Sequence, residues 1–274
     1  MRTVLDRDLV EAFEQTETTM HRQHLARYVT YEPGGDFADM SRDGGQALFA
    51  GHLSPLSYAS GFGLPCRGNE NDLAAIESFY DQFDMPARIE VTSFSDPTWL
   101  SVLAHHGYCL DHFTHVWYKP LCSRPRHFFP PVGSIEIVEE NTPLVSQWAH
   151  IVASGFKIDG PPSLDDITFA TCFLQHDSST GVLAKVHGVW GAAAAISIQG
   201  PIAMLFAAST QLTHRNQGLH HMLIAKRLEM AAEAHCEWAI IQTDPGSATE
   251  RHASELGFVM GYTKAMMVAP MATS

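Results

Sequence analysis

Apolar positions in this chain fall into short runs of strand length and longer stripes with helical spacing, most cleanly in the second half. Ile135-Glu136-Ile137-Val138-Glu139 alternates as a half-buried strand does. Residues 143–156 and 163–175 carry helical patterns separated by Pro161-Pro162, and Ser163 with Asp166 three residues on predicts an N-cap. Thr180 to His187 and Val189 to Ile198 predict two strands joined at Gly188, and Pro201 to Ser209 predicts a third. Leu219 to Ala234 has no proline and no internal glycine; Ile224, Leu228 and Ala231 form its buried stripe, opposite Lys226, Glu229 and Glu233. Trp238 to Thr243 follows as an apolar strand, Asp244-Pro245-Gly246-Ser247 as a turn, and residues 247–256 as a helix. Gly257 suits the left-handed residue that stops a helix, and Val259 to Val268 predicts one or two closing strands.

The first half carries an echo of this order. Gly-rich Gly61 to Gly68 precedes a helix over Glu70 to Phe83, and Ala87 to Phe94 predicts a strand. Thr98 to Tyr108 then predicts a short helix ending in glycine plus an aromatic, as Thr249 to Phe258 does. His112 to Leu121 is strand-like, and Cys122 to Gly133, rich in proline, arginine and aromatics, predicts a linker. At 274 residues the chain suits two domains, 1–125 and 134–274.

The segment from Met204 to Ala234 carries the chemistry. An apolar strand enters Arg215-Asn216-Gln217-Gly218 and then a helix start, where unpaired N–H groups and the helix dipole favour an anion. Arg215 adds positive charge and Gly218 lets the backbone approach closely. Neither the G-x-x-x-x-G-K-[ST] loop nor G-x-G-x-x-G is present, which excludes the two commonest nucleotide fingerprints. Arg215-Asn216-Gln217-Gly218-Leu219-His220 resembles motif A of the GCN5-related N-acetyltransferases (GNAT), [Q/R]-x-x-G-x-[G/A]. The helix, strand and Leu256-Gly257-Phe258 that follow extend the resemblance over residues 134–270.

That resemblance implies an α/β (α+β) fold, a mixed central sheet flanked by helices, with the first half a second, degenerate GNAT-like domain. It implies acetyl-coenzyme A as cosubstrate. Arg215, Asn216, Gln217, Gly218, Leu219, His220 and His221 would hold its diphosphate, and Ala207, Ser209 and Gln211 its pantetheine arm. Two positions depart from the family pattern. His220 stands where a small residue is usual, and Ala253 where many members carry a thiolate-protonating tyrosine.

Composition narrows the setting. Hydrophobic residues make up 45% and charged residues 17%, enough apolar material for a sizeable core. No apolar run approaches the roughly 18 residues of a membrane span. Asp6, Asp8 and Glu11 stand where a signal peptide needs an apolar segment, so a cytoplasmic protein without a membrane partner is expected. The net charge of −13 disfavours nucleic acid and favours a cationic amine. Five scattered cysteines predict free thiols. His21-x-x-His24, His105-His106 and His220-His221 lack the spacing of a familiar metal motif, so no metal is expected.

Direct attack of an amine on the thioester needs a proton acceptor and a donor for the leaving sulfur. Glu139, Glu140 and Asp244, near expected strand ends, are candidate bases, and Tyr262 is a candidate acid. The expected function is acetyl transfer to a primary amine of a small molecule or peptide, in a monomer or homodimer. The alternatives are a lapsed coenzyme A-binding protein and an enzyme with a hydroxyl acceptor.

Overall fold

The computed structural model describes residues 5–121, 133–140, 142–157, 160–174 and 178–270. The predicted linker, apart from Gly133, lies outside them, as does Cys122. Two compact units result: Met1–Val116 with Gly261–Ser274, and Trp117–Met260.

The first half runs α1 (Arg7–Tyr31), β1 (Ala38–Arg42), β2 (Gly45–Phe49), β3 (Ala59–Ser60), α2 (Glu70–Asp81), β4 (Arg88–Thr92), α3 (Pro97–His105) and β5 (Cys109–Pro120). Asp6 caps α1 by accepting from Leu9 N at 3.0 Å, and Asn69 with Asp72 forms a capping box on α2. The second half runs β6 (Ser134–Val138), α4 (Val145–Phe156), α5 (Leu164–Cys172), β7 (Ser179–Val186), β8 (Val189–Gln199), β9 (Ile202–Thr210), α6 (Leu219–Glu233), β10 (Trp238–Thr243), α7 (Ala248–Glu255) and β11 (Val259–Val268). Ser163 and Asp166 form the expected capping box, and Gly257 sits at φ +80°. Residues 259–268 make one strand.

In the second unit the strand order is β5-β10-β9-β8-β7-β6, with β6 through β9 antiparallel and β9 parallel to β10. The run Ala192–Ala195 in β8 shows why two helical layers approach this sheet closely. Ala193 and Ala195 face the α4 side with Trp148, Ile151 and Val152, while Ala192 and Ala194 face Leu219 and Leu223 of α6. Ile224, Leu228 and Ala231 of α6 are buried against Ala203, Leu205 and Phe258, as their spacing predicted.

The first unit has the order β1-β2-β3-β4-β11-β5, antiparallel over β1–β3 and parallel from β3 to β4. β11 pairs antiparallel with β4 from Lys264↔Thr92 to Val268↔Arg88. The strand after the second half's last helix thus belongs to the first unit from Gly261 onward. Its apolar core runs through Phe49, Leu73, Ile76, Tyr80, Ile89 and Trp99.

Beside that core lies a buried ionic cluster. Lys264 Nζ is 3.1 Å from Glu14 and 3.0 Å from Glu90 and also bonds Glu17. The buried face of α1 therefore reads Phe13, Glu14, Glu17, Met20, His24, apolar spacing with carboxylates set into it. Among the described residues no helix is long and apolar enough to cross a membrane.

Candidate active site

The loop after β9 is built by backbone handedness. Arg215 has φ −67°, Asn216 φ +59° and Gly218 φ +75°, while Gln217 between the last two is not left-handed. Alternation of this kind turns successive N–H groups to one side. Gly218 is the residue before α6, and no side chain among the described residues caps that helix. An intrahelical bond runs from Met222 N to Gly218 O at 3.0 Å, which leaves the N–H groups of Leu219 and His220 at the helix start. Arg215 Nε reaches back to Thr210 O at 3.4 Å, and Gln217 Nε2 to Thr213 O at 3.2 Å.

These groups border a cavity of about 320 Å³. It is lined by Ser209 and Thr210 of β9, Arg215, Asn216 and Gly218 of the loop, and Leu219 and His220 of α6. Gly155 at the end of α4 and Thr249, Arg251 and His252 of α7 complete it. A Cβ on Gly155 would collide with Ser209 Oγ and come within 2.6 Å of its Cβ. Ser209 Oγ is held in place by donating to Ile151 O at 2.9 Å.

Strand β9 is irregular where it meets this cavity. Its parallel pairing with β10 runs from Ile202↔Trp238 to Leu205↔Ile241, while β9 itself continues to Thr210. At the same level its register with β8 shifts, from Ala195↔Phe206 to Ala193↔Ser209, which puts one extra residue in β9. Ala207 takes it up at φ +50°, a conformation costing an alanine roughly 1–2 kcal/mol. Arg227 of α6, fully buried, donates through Nη1 to Ala195 O (3.0 Å) and Phe206 O (3.2 Å) and through Nε to Leu223 O (3.0 Å). Burial lowers its guanidinium to about 9, still charged at neutral pH.

The imidazoles are coupled. His220 Nδ1 and His252 Nδ1 are 2.9 Å apart, so one donates and the other accepts. Burial, then Arg227, then the neighbouring histidines push His220 down to about 3. Burial also lowers His252, with Arg251 adding to the effect and Glu255 opposing it. His221 is lowered by burial and by His252. Lowered in this way, His220 and His252 stand on the cavity wall as neutral imidazoles at neutral pH.

Of the residues expected from sequence, Ser209, Arg215, Asn216, Gly218, Leu219 and His220 come together on this cavity. Ala207, Gln211, Gln217 and His221 flank it without lining it. The three expected catalytic side chains do not line it. Glu139 is exposed beyond the edge strand β6, its carbonyl accepting from Thr142 N at 3.1 Å. Asp244 is exposed and its carbonyl accepts from Ser247 N at 3.1 Å. Tyr262 belongs to the first unit, where its hydroxyl donates to Glu14 at 2.5 Å; burial and that carboxylate hold its phenol well above the ordinary range, which makes it a poor acid. Sequence reasoning missed Gly155, Arg227 and Arg251. The signal for Arg227 was a charge on the helix's apolar stripe.

No family model and no curated protein matches the chain. Solved structures do. A GCN5-related N-acetyltransferase from Kribbella flavida is 18% identical, with TM-score 0.66 over 92% of this chain and 95% of that one. A tandem GNAT protein from the clavulanic acid biosynthesis pathway is 12% identical, with TM-score 0.62 over 94% and 96%. A GCN5-related N-acetyltransferase from Sphaerobacter thermophilus is 12% identical, with TM-score 0.61 over 83% and 78%. At these identities the likeness is one of architecture: the chain has the GNAT fold.

Proposed function

We propose that this protein is an acetyl-coenzyme A-dependent N-acetyltransferase acting on a primary amine of a small molecule or peptide. The observation that carries the reading is the uncapped start of α6, preceded by the handed loop at Arg215–Gly218 and opening on a cavity beside the irregular part of β9. The N–H groups of Leu219 and His220 at a helix start without a side-chain cap, the helix dipole and Arg215 suit a diphosphate. The backbone of β9 beyond Leu205, no longer paired to β10, suits an extended arm that carries amides. Acetyl-coenzyme A would supply an activated acyl carbon. The amine nitrogen bonds to that carbon, the carbon–sulfur bond breaks, and sulfur leaves with the electron pair while the nitrogen gives up a proton.

The chain's part is positional: it binds the cosubstrate, orients its thioester and offers backbone donors to the developing oxyanion. His252, hydrogen-bonded to His220 on the cavity wall, takes the place of Glu139, Asp244 and Tyr262 as the group able to handle a proton there. The position of the family's phenol is Ala253, packed in the core.

The test has two stages. Coenzyme A should raise the melting temperature, and Gly218→Trp or Arg215→Glu should abolish the shift. Acetyl-coenzyme A with a panel of amines should release free thiol. A shift without turnover on any amine would reduce the protein to a coenzyme A binder, and no shift would remove the cosubstrate assignment.

A further inference from the structure

Arg227 is a costly residue for its place. It is fully buried, no carboxylate among the described residues pairs with it, and its Nη2 has no hydrogen-bond partner there. A methionine or leucine on the same stripe of α6 would pack against β8 and β9 without burying a charge. What the guanidinium does instead is specific. Nη1 takes the carbonyls of Ala195 and Phe206, the opposed residues at which the β8–β9 register changes. Nε ties the same side chain to Leu223 O, so its head cannot swing away from the sheet. One residue further, Ala207 turns left-handed, and one residue earlier the pairing of β9 with β10 ends. Three irregularities of β9 therefore converge on one side chain.

We propose that Arg227 is a positioning residue that keeps β9 bulged and parted from β10, so that the β9 backbone beyond Leu205 stays open to the amide-bearing arm of the cosubstrate. This rests on the acetyl-coenzyme A reading above and names the residue on which it depends. A regular β9 would have its carbonyls in the ladder, its alanine at an ordinary φ, and its backbone available to β10 in place of a ligand. Arg227 holds both bulge carbonyls against that closure. Its charge also stands behind His220, on the wall of the same cavity.

The experiment compares two probes on the wild type, Arg227→Met and Arg227→Lys. Coenzyme A engages the phosphate loop and the open strand, whereas adenosine 3′-phosphate 5′-diphosphate keeps the diphosphate and lacks the arm. In the wild type, coenzyme A should give the larger thermal shift. In R227M the shift with the adenosine probe should persist while the coenzyme A shift falls towards the same size. KM for acetyl-coenzyme A should rise about tenfold or more, as expected for loss of a charge-assisted hydrogen bond. R227K, which keeps the charge but not the fork, should fall between the two, and it decides the matter alone if R227M does not fold.

A general structural role predicts equal loss of both shifts, and that result overturns the proposal. So does a variant that keeps the full coenzyme A shift and KM. Absence of any coenzyme A shift in the wild type would instead overturn the acetyl-coenzyme A reading itself.

Discussion

Replacing Lys264 with methionine removes the ammonium held among three buried carboxylates. The side chain keeps its length and apolar stem, so the change is close to a change of charge alone. Removing one partner of a buried ion pair costs roughly 3–5 kcal/mol, because the charge left behind is uncompensated. For a unit of this size that is about 3–5 °C per kcal/mol, or roughly 10–20 °C in the melting midpoint. The loss must depend on pH. In the native protein burial holds Glu90 up to about 8 and Glu14 above its ordinary range, both against the pull of Lys264. Burial disfavours charge on Lys264 itself, but Glu14, Glu17 and Glu90 outweigh it and keep the ammonium well above its usual range.

A carboxylate whose folded value is raised takes up a proton on folding between its unfolded and folded values. The contribution of Glu90 to stability therefore falls as pH rises from about 4.5 to about 8. Without Lys264 the carboxylates need still more protons, so K264M should lose far more at pH 8 than at pH 5. Glu90→Gln should do the opposite and raise the midpoint at pH 8, where it removes surplus buried charge. Thermal or urea melts of the three proteins at pH 5, 6.5 and 8 measure this. Equal losses for K264M at pH 5 and 8, or destabilisation by E90Q at pH 8, would refute the electrostatic account.

Two further outcomes concern the cavity. An anion bound there counters Arg227 and Arg251, so the His220–His252 pair should gain a proton on binding, and affinity should rise as pH falls from 8 to 5.5. Titration with 3′-dephospho-coenzyme A, whose diphosphate does not ionise in that range, would show the trend, and His252→Ala should flatten it; a flat wild-type profile would exclude the linkage. Gly155→Ala drives a Cβ into Ser209 and should cost about 1–3 kcal/mol by overpacking, with a weaker coenzyme A shift. An unchanged melt and shift would mean that α4 yields freely at that point.

The second half was legible because its signals are local. Its strands alternate or run apolar, its α6 stripe is clean, and glycines mark its turns, so the elements from 134 to 268 lie close to their predicted limits. Helix α1, the longest among the described residues, was not, because Glu14, Glu17 and His24 occupy its buried face and break the apolar stripe. Their partner lies some 250 positions away, beyond any window of periodicity. The cavity's backbone parts could be placed from Arg215 and Gly218, since handedness at a loop leaves a mark in residue type. The side chains able to move protons could not. Ala253 faces the core with Leu256, and the one-residue step to His252 turns that ring onto the cavity, which no spacing rule settles without knowing where the cavity lies.

The pairing of β11 with β4 has a consequence for how the chain emerges during synthesis. Glu14, Glu17 and Glu90 are all made within the first third of the sequence, but Tyr262 and Lys264, which satisfy them, are made near residue 264. Domains commonly fold in order as they leave the ribosome, the N-terminal one first. In this chain the second unit, continuous from Trp117 to Met260, is fully synthesised before Lys264 is. Until Lys264 is made, the nascent N-terminal half carries three carboxylates without the cation that meets them in the finished fold.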